Sequence, residues 1–302
     1  RFHPRGRRSC DLHAERFGVS APALAVIAGA GDLPRRVALS ARAQGRPVLV
    51  VLLRGAGDPA SFPDFETVTV GIGQVGQLVR VLKAHEISDL VFIGAVIRPD
   101  LSSLRPDFGL LKRLPGLVAA FRGGDDKLLR YVTELARAEG FRVVSAAEIA
   151  PDLMAGSGVL GSRQPSPDER EDARLGLRLI DDLASHDVGQ AVIVAGGRVL
   201  AIEAVEGTNA MIDRVRDLRQ SGRLRLPERA GMLVKAAKRG QDMRMDLPTV
   251  GPETLRRVAA AGLAGLCLRE REVIIAERDE TVRLAQAHGL VLMVEPAARE
   301  AP

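Results

Sequence analysis

Leu24-Ala-Val-Ile-Ala-Gly-Ala-Gly-Asp-Leu-Pro34 is the stretch that decides the fold. Five consecutive apolar residues mark a strand buried on both faces, and the glycines after them read as a strand-to-helix turn. A helical pattern runs from Pro34 to Gln44, followed by a second apolar run, Val48–Leu53. Another helical pattern (Val75, Leu78, Val79, Leu82) precedes a third run, Leu90–Ile93, and a long helix, Lys127–Glu139, leads to Phe141–Val144. Continuous apolar strands alternating with helices predict an α/β unit, a parallel sheet covered on both faces. Residues 23–153 are therefore expected to form a Rossmann-like N-terminal domain.

Further along, the composition shifts. Residues 154–167 are rich in Gly, Ser and Pro and read as a linker, with Pro167-Asp168-Glu169 opening the next helix. Beyond it, Ala191–Ala195, Gly196-Gly197-Arg198 and Val199–Val205 predict a hairpin with a glycine turn. Strands are expected at Gly231–Lys235, Leu263–Leu268, Val273–Ala276 and Leu290–Val294, with helices at Asn209–Gln220 and Pro252–Ala261. Residues 168–296 are thus a C-terminal mixed α+β domain, and 297–302 a tail.

At 302 residues, 46% hydrophobic and 27% charged, the chain has the composition of a folded globular protein with room for two cores. Its formal charge of +5 suits phosphorylated ligands or anionic surfaces, although a generally Arg-rich composition would give the same total. With no Trp and one Tyr it lacks the aromatic platforms of single-stranded nucleic-acid binders, so no nucleic-acid partner is expected. Cys10 and Cys267 are too few and too far apart for a zinc cluster or disulfide framework. Residues 1–22 hold five arginines and no apolar core of a secretory signal. They are expected to be a disordered extension, and the protein to be cytoplasmic.

The turn after the first strand is the first candidate site. Backbone N–H groups at a helix N-terminus favour phosphate, which makes Gly29, Gly31 and Asp32 candidate substrate-binding positions. A tight turn with no ligand would use the same glycines. Gly94 follows Leu90–Ile93 and is expected to line the same crevice. The junction is not a dinucleotide fingerprint: Pro34 stands at the third glycine and Arg54, not an acid, ends the second strand. An NAD enzyme is disfavoured. Between Arg98 and Arg122, basic residues interleave with Leu101, Leu104, Phe108, Leu111 and other apolar residues, a pattern suited to a membrane interface or to ordinary packing on the sheet. Asp125 or Asp126 is expected to cap the helix that follows.

The second domain holds a denser polar segment, Lys235 to Thr249, in a loop after an apolar strand. Two carboxylates among cations suit metal-assisted phosphoryl chemistry, and in an extended chain Asp242, Arg244 and Asp246 would share one face. A solvated, self-paired loop is the plainer reading. Glu206-Gly207-Thr208-Asn209 opens a helix, with Thr208 as a candidate N-cap and Glu206 as a candidate further metal ligand. The five histidines are scattered and support no catalytic triad.

In their order, these segments resemble one family: the two-domain UDP-2,3-diacylglucosamine pyrophosphatases of lipid A biosynthesis, distinct from the calcineurin-like enzymes of the same step. The resemblance spans residues 23–296. Its carriers are Leu24–Pro34, Ile93-Gly-Ala-Val96 with Arg98-Pro99, Leu104-Arg-Pro106, Gly123-Gly-Asp-Asp126, Asp187-Val-Gly-Gln190, Glu203–Met211 and Lys235–Gly251. It implies hydrolysis of the UDP-linked diacylglucosamine to UMP and 2,3-diacylglucosamine 1-phosphate (lipid X), with a divalent cation, Mg²⁺, as cofactor. By motif match Asp246 is the essential carboxylate and, with Asp242, a metal ligand. Lys235 is catalytic, and Thr208, Asn209, Lys238, Gln241 and Thr249 bind substrate. Two positions depart from the pattern: Arg239 replaces a proline, and Asn209 replaces an aspartate, which suits hydrogen bonding better than metal binding.

The implied substrate gives the Arg98–Arg122 stretch an acyl-chain or membrane-contact role, with transient attachment at the cytoplasmic face of the inner membrane. A homo-oligomer remains open. The loop of Asp246 is expected to work closed against the Gly29–Gly31 edge. The alternative from another class is a nucleotide-sugar or lipid-binding regulatory module without turnover.

Overall fold

The computed structural model describes residues 21–96, 107–111, 113–121, 125–186 and 188–297. The expected extension and tail, residues 98–106, 112 and 122 of the Arg98–Arg122 stretch, Gly123, Gly124 and Asp187 lie outside them, as do the side chains of Asp125 and Asp126.

In the first domain, β1 (Leu24–Ala28), β2 (Val48–Leu53), β3 (Glu66–Val70), β4 (Asp89–Ile93) and β5 (Arg142–Val143) form a parallel sheet in the order β3-β2-β1-β4-β5. The central place of β1 explains the apolar run Leu24–Ala28. Leu24, Val26 and Ala28 pack under α1 (Leu33–Ala43) and α6 (Ala146–Ile149), while Ala25 and Ile27 face the core beneath α2 (Val75–Ala84) and α5 (Asp125–Ala138). Each such buried Val, Leu or Ile contributes about 1.5–3 kcal/mol, so no position on β1 tolerates a polar side chain. Two short helices, α3 (Phe108–Leu111) and α4 (Leu114–Phe121), precede α5.

Strand order reverses between β1 and β4, and there the two strand ends are zipped together. The Gly29 N–H donates to the Ile93 carbonyl (2.9 Å), and Ala30 and Ala95 exchange hydrogen bonds of 2.8 and 2.9 Å. A Cβ on Gly29 would lie 2.6 Å from the Ala95 carbonyl oxygen. Gly94, at φ +98°, leaves no room for a Cβ beside Pro34. These two glycines are therefore required by close backbone approach.

Asp89 pins the opposite end of β4. Burial alone would raise its pKa, but hydrogen bonds from Arg142 and Arg46 outweigh burial and hold it below the usual carboxylate range. That stabilisation is complete above the unfolded carboxylate pKa and is lost as pH falls through the lowered folded one. Asp89→Ala leaves Arg46 buried without its carboxylate and is expected to cost about 3 kcal/mol at neutral pH. In denaturant titrations the gap from the unsubstituted protein should close only in strong acid; a gap that persists there would refute the pairing.

In the second domain, β6 (Gly158–Val159), β7 (Ala191–Ala195), β8 (Arg198–Ile202), β9 (Met232–Lys235), β11 (Gly265–Arg269) and β13 (Val291–Glu295) form a six-stranded mixed sheet in the order β6-β13-β11-β9-β7-β8. Strands β13, β11 and β9 are parallel, and β6, β7 and β8 pair antiparallel. Helix α7 (Pro167–Leu183) covers one face, and α8 (Gly207–Gln220), α9 (Pro252–Ala260) and α10 (Arg278–Ala287) cover the other. A small parallel pair, β10 (Thr249–Val250) with β12 (Ile274–Ile275), lies beside it.

Most boundaries lie within two residues of the sequence reading, and two differ by more. Part of the expected linker is strand β6, because its backbone satisfies the free edge of β13. The hairpin's second strand stops at Ile202, not Val205, where the chain turns toward α8 and leaves Val205 fully exposed.

The domains share packed surface. Ile274 is buried in the first domain's core beside Met154, while Met245 and Leu247 pack on opposite faces of the first sheet. Arg130 of α5 donates to the Gly240 carbonyl (3.0 Å).

Candidate functional site

Strand β9 runs through the middle of the second sheet and delivers Lys235 at its carboxyl end. The residue is only 8% exposed. Its Nζ donates to Thr208 Oγ1 (2.8 Å), and the Thr208 hydroxyl donates to Glu203 Oε1 (2.9 Å). Burial pulls the Lys235 pKa below the ordinary lysine value, and the carboxylates of Glu203 and then Asp246 oppose that pull. In its protonated form Lys235 is a strong electrostatic element here, because little water competes with its partners.

Asp246 is held from the other side. Its Oδ2 accepts from Gln190 Nε2 (2.6 Å) and Gln241 Nε2 (2.7 Å), and its carbonyl accepts a further bond from Gln241 (3.0 Å). Gln241 Oε1 in turn accepts from the Lys238 N–H (2.9 Å), closing the loop on itself. Lys235, Gln241 and Asp246 are thus brought together as expected.

Thr208, Asn209, Lys235 and Thr249 line one cleft of about 590 Å³ with Glu206, Gly207, Gly251, Pro252, Glu253 and others. It receives the N-termini of both α8 and α9; the α8 start has no side-chain cap, and at α9 the Thr254 hydroxyl accepts from the Gly251 N–H (3.4 Å). The positive end of each helix dipole favours an anion at these two helix starts, while Glu206, Glu253 and Glu277 set negative charge against Lys235 and Arg256 along the rest of the lining. A second groove of about 540 Å³ follows α8 past Asp213, Arg214 and Asp217 and contains none of the candidate residues.

Several expectations change. Thr208 does not cap α8: Glu206 occupies the cap position, and the threonine hydroxyl is engaged by Lys235 and Glu203. The Asp242–Asp246 segment is not extended. The N–H groups of Met245 and Asp246 both donate to the Asp242 carbonyl (3.0 and 3.3 Å), so the two carboxylates do not share a face by strand alternation. Both Asp242 oxygens accept from Arg244 (2.7 and 2.6 Å), and that hydrogen bonding lowers its pKa. Glu206 turns to Arg214 (3.0 Å).

In the first domain, Gly29 and Gly94 serve the β1–β4 junction, while Gly31 (φ +99°, open space) and Asp32 are exposed at its rim. The loop carrying Asp246 is anchored on that domain through Arg130, Met245 and Leu247.

Two polar residues here carry no role in the sequence reading: Gln190 and Glu203. The available signal was the hairpin itself. Counting back from Gly196-Gly197 puts the residue before β7 beside the residue after β8, and one bulge adjusts the register. As for a metal, no cluster of three His, Cys, Asp or Glu side chains suited to an ion occurs among the described residues.

Comparison with known proteins covers nearly the whole chain. Residues 23–153 match the model of the LpxI N-terminal domain, and residues 156–293 that of the LpxI C-terminal domain. The chain is 40% identical over 277 residues to the UDP-2,3-diacylglucosamine pyrophosphatase LpxI of Caulobacter vibrioides, which covers 91% of this chain and 99% of that protein.

Proposed function

Because the chain belongs to the LpxI family of UDP-2,3-diacylglucosamine pyrophosphatases, we propose that it cleaves its substrate's pyrophosphate to UMP and 2,3-diacylglucosamine 1-phosphate in the cleft at Lys235. The observation that carries this reading is a buried lysine at the head of a cleft that the N-termini of two helices enter. A pyrophosphate bound there meets donors on several sides, placed before the reaction starts. Water oxygen attacks one phosphorus, the bond to the bridging oxygen breaks, and the leaving phosphate takes the electron pair. Lys235 stabilises the charge that grows on these oxygens. Asp246, oriented by Gln190 and Gln241, aligns the water and accepts its proton.

Of the three expected metal ligands, Glu206 is paired with Arg214, and of the other two only Asp246 fits a divalent cation. Both Asp242 oxygens are engaged by Arg244. Mg²⁺ commonly binds through one or two carboxylates plus substrate phosphates, so Asp246 with the pyrophosphate is a sufficient set. When bound, the ion would neutralise phosphate charge as a Lewis acid.

We also propose transient contact with the cytoplasmic face of the inner membrane. No helix among the described residues is long and apolar enough to cross a membrane. Phe108 (72% exposed) and Leu111 nevertheless stand out from α3, an apolar surface that suits a lipid boundary, while the nearby Arg113 guanidinium is engaged by Glu139 and the Gly109 carbonyl.

The test is release of UMP from the UDP-lipid by the purified protein, with Mg²⁺ and with EDTA. Turnover that EDTA abolishes is expected. Tight binding without UMP release would favour the non-catalytic alternative, and full turnover in EDTA would remove the metal from the reading.

A further inference from the structure

Lys235 and Asp246 lie on different segments, and one carboxylate ties both to the same backbone. Glu203 follows β8 directly. Its Oε1 accepts from the Thr208 hydroxyl (2.9 Å), which accepts from Lys235. Its Oε2 accepts from the N–H of Gln190 (3.2 Å), whose side-chain amide donates to Asp246 (2.6 Å). A chain of bonds therefore runs Lys235–Thr208–Glu203–Gln190–Asp246, with Glu203 at its centre.

From this geometry we infer that Glu203 is a positioning residue for the reaction, holding the Lys235 ammonium and the Asp246 carboxylate in a fixed mutual arrangement through Thr208 and Gln190. The inference rests on Lys235 and Asp246 being the reacting pair.

Three observations support it. First, every bond in the chain is directional. A hydroxyl that accepts from an ammonium has its own proton free to donate, and only an acceptor can receive it. A carboxylate can accept from Thr208 and Gln190 at once. Second, the place for Glu203 is built. A Cβ on Gly189 would lie 2.5–2.7 Å from the Cγ, Cβ and carbonyl oxygen of Glu203, so this side chain lies directly over a glycine. The backbone fixes the same contact, with the Gly189 N–H donating to the Glu203 carbonyl (3.0 Å) and the Glu203 N–H to Ala191 (2.9 Å). Third, the Glu203 carboxylate, ahead of that of Asp246, opposes the lowering of the Lys235 pKa by burial.

Glutamine is the discriminating substitution. It keeps size and shape but offers one acceptor oxygen, so in either amide orientation one of the two donors meets an N–H₂ group. In UMP-release kinetics Glu203→Gln is expected to lower kcat by about 10- to 100-fold, the range for losing a group that orients a reacting one, with KM little changed. Gly189→Ala, which displaces Glu203 without touching its carboxylate, is expected to reproduce that loss. Thr208→Val should do the same and Thr208→Ser should restore turnover, because the hydroxyl is what the chain needs. The double variant Glu203→Gln/Thr208→Val should be no slower than the slower single variant, as for groups that act as a unit.

A Glu203→Gln enzyme with near-wild-type kcat would overturn the inference, as would a double variant in which the two losses multiply. Melting temperatures of each variant separate loss of fold from loss of rate, and Thr208→Ser decides the case if Gly189→Ala does not fold. Unchanged turnover in Lys235→Met and Asp246→Asn would instead overturn the underlying assignment of the pair.

Discussion

Asp246→Asn is expected to lower kcat for UMP release by about 10³-fold while leaving folding and substrate binding intact. Asparagine has nearly the same shape, and its one oxygen still accepts from Gln190 and Gln241. The loop therefore stays closed. What disappears is the negative charge that accepts a proton from water and, with substrate phosphates, suits a cation. Asp246→Ala should lose as much turnover and also loosen the loop, since both amides would then lack their acceptor. Near-wild-type kcat in Asp246→Asn would remove this residue from the chemistry. Loss of folding together with rate would give it a structural role only.

Lys235→Met is expected to lower kcat/KM by about 10²–10³-fold. Methionine fills most of the buried volume with an unbranched apolar chain, so packing against Thr208 persists and only the charge is removed. The pH profile gives a second measure. With its pKa pulled down by burial, Lys235 loses its proton at lower pH than an exposed lysine does. The enzyme's rate should therefore fall on the alkaline side before the ordinary lysine range is reached, and the residual rate of Lys235→Met should lack that limb. An identical alkaline limb in both proteins would assign it to another group.

Much of this arrangement was legible from residue order. β1 could be placed because burial on both faces demands apolar residues at every position, and the Gly196-Gly197 hairpin because its turn chemistry is local. Lys235 and Thr208 were found because each sits where a loop follows a strand or opens a helix. Their partners were not legible. Lys235 and Thr208 are 27 positions apart and Gln190 and Asp246 are 56 apart, and no local rule pairs them. Asp242 shows the reverse failure. Strand alternation would set it beside Asp246, but a turn and the neighbouring Arg244 guanidinium gave it a partner two residues away.

By itself, then, the amino-acid sequence determined most of the elements, the two-domain division and the family, since these follow from hydrophobic period, turn residues and motif order, but not β3, β6, β10 or α10. Only the tertiary structure decided that Gly29 and Gly94 close a backbone junction, that α8 and α9 point their N-termini into one cleft, and that Glu203 bridges Lys235 to Asp246. Helical and strand periods are set by neighbours along the chain, whereas hydrogen-bond partners and close approaches are set by how sheets and helices pack.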